Sequence, residues 1–130
     1  MKKILMLIIV ILLFSGCATV KEKKSKEELL RESVNYYWNI RLKGELQKIY
    51  NIEDKNFCPS FEDYKVEAAL IRKFDIREFN IKEVTIKNNI AKVIVEFSFY
   101  MPPVSKPFKQ SIIDRWIWKD RKWWHIFNKK

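Results

Sequence analysis

Hydrophobic residues are spaced in three successive ways along this chain, and each spacing predicts a different kind of element. From Ile4 to Phe14 the apolar run is unbroken. From Leu30 to about Phe74 apolar residues recur at the helical period, and from Phe79 onward they alternate with polar ones. The eleven residues of the first run are too few to span the roughly 30 Å of bilayer hydrocarbon as a helix. Behind Lys2-Lys3 and ahead of Ser15-Gly16-Cys17, the run reads as the h-region of a secretory signal peptide. The chain turns strongly polar at Lys21.

Ser25-Lys26-Glu27-Glu28 has the spacing of a capping box, which predicts a helix start at Ser25. Leu30, Val34, Tyr37 and Trp38 follow as its apolar stripe, widened by Leu29, Tyr36 and Ile40, and Gly44 supplies the stop. A short helical stretch, Glu45 to Tyr50, offers Leu46, Ile49 and Tyr50 to the same core, and Asn51 to Pro59 reads as a loop. Ser60, with Asp63 three residues on, starts a third helix whose stripe is Val66, Ala69, Leu70 and Phe74. The period then changes to two. Phe79 and Ile81, then Val84 and Ile86, alternate with polar residues, and the phase slip at Lys82-Glu83 predicts a bulge.

Asn88-Asn89 is a turn candidate, because Asn tolerates positive φ. Ala91, Val93, Val95, Phe97, Phe99 and Met101 then mark the clearest strand, ended by Pro102, Pro103 and Pro107. Phe108 to Trp118 and Lys122 to Phe127 are two further strands around a turn at Asp120-Arg121. Helices first and a bulged meander afterwards is an α+β order. The expected architecture is N-terminal helices packed on a curved, bulged antiparallel sheet of about four strands.

Phe14-Ser15-Gly16-Cys17 resembles the lipobox of bacterial lipoproteins, with Phe14 where that family usually has an aliphatic residue. The resemblance implies removal of residues 1–16 and acylation of the Cys17 thiol, by palmitate or a similar chain. Residues 17–24 would be a polar tether and 25–130 a single domain. It places the protein outside the cytoplasm and anchored to a membrane, the outer one where the host has two, since Ala18 is not the aspartate that commonly retains such chains at the inner membrane. Cys58 is then left without an internal disulfide partner.

Charge fits that address. Without Lys2 and Lys3 the chain keeps 24 of its 26 Lys and Arg against 16 Asp and Glu, a net +8. Such a surface is drawn to anionic polymers and headgroups, and export removes nucleic acid from the expected partners. The partners left are the membrane, a protein bound at the sheet face, and a second copy in a homodimer.

Tyr37-Trp38, Gly44, Leu46 and Ile49-Tyr50, together with Asp114-Arg115-Trp116 and Lys122-Trp123-Trp124, resemble the cystatin-like cone of the ketosteroid isomerase and nuclear transport factor superfamily. That fold hosts enzymes and binding proteins alike. Members with activity use acids in the cone, which implies an isomerase or dehydratase built on Asp114 and His125. Against a catalytic role, Arg115 is a ready partner for Asp114, and a structural ion pair or rim hydrogen bond is the preferred reading. No metal is expected, with one histidine and no CxxC or HExxH. No cofactor is expected either. Gly16 and Gly44, the only glycines, cannot build a phosphate loop.

Four tryptophans, Trp116, Trp118, Trp123 and Trp124, crowd the last two strands. They are the candidate binding residues, and core packing is their alternative. Trp123 and Trp124 must face opposite sides of one strand, so one of them should lie at an interface or be exposed. The reading that results is a non-enzymatic, lipid-anchored envelope protein that binds or scaffolds a partner, with the small enzyme as its rival.

Overall fold

The structure, a computed structural model, describes residues 21–71 and 75–128. The leader, Cys17 and the side chains of Ala69, Leu70 and Phe74 lie outside the described residues. Helix α1 (Lys26–Lys43) begins at the capping box expected of Ser25: its hydroxyl accepts from the Glu28 N–H at 3.1 Å, and the Glu28 carboxylate accepts from the Ser25 N–H at 3.2 Å. It ends at Gly44, whose φ of +70° lets its N–H fold back onto the Arg41 and Ile40 carbonyls. Helix α2 (Leu46–Ile52) follows directly, then a buried turn through Glu53 and Asp54, then α3 (Phe61–Ile71). Among the described residues no helix is long and apolar enough to cross a membrane.

Four antiparallel strands, β1 (Asp75–Lys87), β2 (Ile90–Tyr100), β3 (Phe108–Lys119) and β4 (Lys122–Ile126), form an open sheet in chain order. The register of β1 against β2 shifts at Ile76/Glu78 and at Ile81/Glu83, the second where the hydrophobic phase slips. Each bulge adds local twist and bends the strand. The β3–β4 turn holds Asp120 and Arg121 at φ of 53° and 61°, the left-handed pair that a two-residue hairpin requires.

α1 lies across the inner face of the sheet. Beneath it run the small side chains Ala91, Val93 and Val95, all fully buried, which let the helix come close. Larger rings fill the flanks: Trp38 stacks on Phe97 and Phe79, and Trp116 meets Tyr37 edge to face. The Trp123 indole N–H donates to the Lys26 carbonyl at 2.9 Å, pinning the start of α1 to the last strand. The described core runs from Leu30 to Phe127, within the segment from Lys21 onward.

Two helix faces differ from expectation. Tyr36 is 53% exposed and Val66 is 69% exposed. Tyr64, two residues before Val66 and so about half a turn away from it, is the residue turned inward. Its hydroxyl has an acceptor inside, and that bond sets the rotation of α3.

Among the described residues an added Cβ at Gly44 would meet no heavy atom within 4 Å, so Gly44→Ala tests chiefly backbone strain. The expected loss is about 1 kcal/mol, read as a lower urea midpoint with an unchanged m-value.

Candidate functional site

Alternation along β3 turns Asp114 and Trp116 inward, and the register pairs Trp116 with His125 on β4. His125 therefore comes within 3.4 Å of Asp114, from its Nε2 to Oδ1. A third ionisable group arrives from the turn after α2. There the Asp54 N–H donates to the His125 carbonyl at 2.7 Å, and Glu53 forms a lone parallel bridge to His125. That bridge brings a Glu53 carboxylate oxygen within 2.6 Å of His125 Nδ1. All three side chains are buried.

The remaining carboxylate oxygens are taken as well. Trp38 Nε1–H donates to Asp114 Oδ2 at 2.7 Å, and the Tyr37 and Tyr64 hydroxyls both donate to Glu53 Oε1, at 2.9 and 3.1 Å. Tyr37 also stacks on the imidazole, with ring centroids 4.3 Å apart. Burial and Glu53 hold the hydroxyls of both tyrosines well above the usual range, which keeps them as donors. Burial alone would push His125 down. Glu53 and hydrogen bonds to both carboxylates outweigh it and raise the imidazole to about 9. His125 is therefore a cation at neutral pH, donating from both nitrogens.

The expected Asp114–Arg115 pair does not form. Arg115 is exposed on the opposite face of β3, and the partners of Asp114 are Trp38 and His125. The pairing of Asp114 with His125 on one face was legible from strand alternation. Glu53 was missed, because an acid just past a helix end looks like a solvated loop residue. The one available signal was that the inward Tyr37 hydroxyl needs a buried acceptor. Among the described residues no group of three His, Cys, Asp or Glu is placed to hold a metal ion.

Beside this network a cleft of about 730 Å³ opens between α1, α2 and the inner sheet. Leu46, Ile49, Phe97, Phe99, Ile112 and Phe127 give it an apolar wall. Tyr37, Trp38 and His125 form the side shared with the network, and Arg41 and Gln110 are polar groups at its lining.

None of the four candidate tryptophans lines the cleft. Trp116 and Trp123 are core residues, and Trp118 packs edge to face on Trp123. Trp124 takes the outer face, half-buried, its N–H on the Lys119 carbonyl and the Lys122 ammonium 3.9 Å above its ring. Cys58 is half-buried with no disulfide, and burial raises its thiol to about 11, which leaves it inert as a nucleophile at neutral pH.

No family model matches the chain, and no curated protein matches it. Among solved structures it is similar to a Campylobacter jejuni protein assigned as an NTF2-like transpeptidase, with a TM-score of 0.51 and 20% identity. The match covers 81% of this chain and all of the other. At that identity the likeness defines the fold. Three helices against a four-stranded open antiparallel sheet form an α+β domain of NTF2-like architecture.

The chain's single histidine makes its titration directly readable by NMR. An unfolded histidine titrates near 6.5, below the folded value of about 9. Its stabilising contribution is therefore fully present below about pH 6.5 and lost as pH rises through about 9. Denaturation midpoints should fall across that window, and a His125→Gln variant should be flat there. Glu53→Gln should lower the imidazole titration and cost roughly 3 kcal/mol, since it removes one side of a buried pair.

Proposed function

We propose that this protein is a non-enzymatic, lipid-anchored binding module on the outer side of a bacterial membrane, holding its ligand or a partner's side chain in the inner cleft. The observation that supports binding over chemistry is that every nitrogen and carboxylate oxygen of the network already has a hydrogen-bond partner. Both imidazole nitrogens and the carboxylate oxygens of Glu53 and Asp114 have partners. A general base needs a lone pair within reach of substrate. A doubly donating imidazolium has none.

The network then serves as a rigid wall, and the adjoining space is large, apolar and sparsely polar, as ligand sites usually are. An apolar fluorescent probe titrated into the segment from Lys21 onward should bind with a rise in emission. Leu46→Trp, which fills the cleft with an indole, should abolish the signal.

The address rests on the sequence Phe14-Ser15-Gly16-Cys17 behind its apolar run. Two or three acyl chains anchor stably where one is marginal, and the short tether to Ser25 keeps the domain at the headgroups. Cys17→Ser should shift the protein from the membrane fraction to the soluble one. A variant still acylated and membrane-bound would overturn the anchoring.

One observation favours the rival reading. Asp114 and His125 do meet in a shielded, aromatic setting, as an isomerase or dehydratase of this fold would arrange them. In that case Asp114→Asn would erase turnover of a small carbonyl substrate while leaving probe binding intact.

A further inference from the structure

Arg41 sits beside a network whose two carboxylates and one imidazolium leave a single negative charge, yet its guanidinium contacts neither acid directly. Arg41, in the last turn of α1, lies with its guanidinium 4.7 Å from the Trp38 ring centroid and 5.5 Å from that of Tyr37. The same two rings use their polar edges to bind Asp114 and Glu53. Neither carboxylate forms an ion pair with Arg41, and among the described residues no other acid does. Lys43, also at the cleft, forms no ion pair among them either. Among the described residues the one acid in the lining, Asp75, is already paired with Arg77.

The two ring faces hold a half-buried guanidinium in one place, and its forked donors form no hydrogen bond with any described residue. A guanidinium presents five donors in a planar fork suited to carboxylate or phosphate, and stacking on aromatic faces pre-orients it. Below it lies an apolar wall from Leu46, Ile49, Phe97 and Phe99.

Resting on the reading of the cleft as a binding site, we infer that its ligand is an anionic amphiphile: an apolar chain along the wall, with a carboxylate or phosphate head held by Arg41. Lys43 adds a second positive charge at the same end. The buried network stays as it is when the ligand enters, because each of its nitrogens and carboxylate oxygens already has a partner.

The test uses the segment from Lys21 onward, with decanoic acid, decanol and decylamine competing for the apolar probe near neutral pH, each below its aggregation concentration. The acid should bind about tenfold tighter than the alcohol, a ratio worth about 1.4 kcal/mol, and the amine weakest. In Arg41→Met the ratio of acid to alcohol should fall to near one. Should that variant fail to fold by circular dichroism, Arg41→Gln is read in the same way.

Equal affinities of acid and alcohol for the unaltered protein, a preference for the amine, or a ratio that survives in a folded Arg41 variant would each overturn the inference. In those cases the cleft still binds apolar chains. Failure of all three compounds and of the probe to bind would overturn the binding reading itself.

Discussion

A protonated histidine held between two buried carboxylates is the constraint on which the rest of this domain is arranged. An unpaired carboxylate inside a protein costs several kcal/mol in lost hydration. Glu53 and Asp114 are separated widely in sequence, yet both must reach His125 for either to be tolerated. Everything that positions them is therefore fixed too. The turn after α2 must dock on β4, and α1 must present Tyr37 and Trp38 at one rotation. Such networks are weak evidence of net stability. Their effect here is to exclude alternatives, since a helix rotated by one position would leave a buried acid without its donors.

The same network divides the inner face of the sheet into two territories. At the β4 end, charge, indole and phenol are packed solid around the imidazole. Away from it, Phe97, Phe99 and Ile112 face a space that α1 does not fill. Tyr37 and Trp38 belong to both, offering polar edges to one side and ring faces to the other. Rigidity on the first side is what would give the second a definite shape, because a wall that is already hydrogen-bonded does not rearrange around a ligand.

Much of the scaffold was legible in the sequence, and for specific reasons. The Ser25 cap, the Gly44 stop, the slip at Lys82-Glu83 and the Asp120-Arg121 turn are local devices whose partners lie within a few residues. Alternation likewise placed Asp114, Trp116 and His125 on one face. What escaped were interactions closed over distance. Trp38, not the adjacent Arg115, is the partner of Asp114, because neighbours on a strand point to opposite sides. Tyr36 and Val66 look like core residues by type, but the helices turn toward the hydroxyls of Tyr37 and Tyr64, which have Glu53 to bind. Arg41 reads as an ordinary basic residue in a last helical turn, and only the assembled rings show that its charge is held at a cleft.

His125 lies on β4, which follows every other described element, and that order governs when the domain can close. A polypeptide emerges N-terminus first, so both acids are made before the imidazole that bridges them. Until β4 arrives, Glu53 and Asp114 keep their hydration and hold the core open. Trp123, which pins α1, is equally late. The fold thus has its lock at β4, and a nascent chain stays unsealed until that strand has been made.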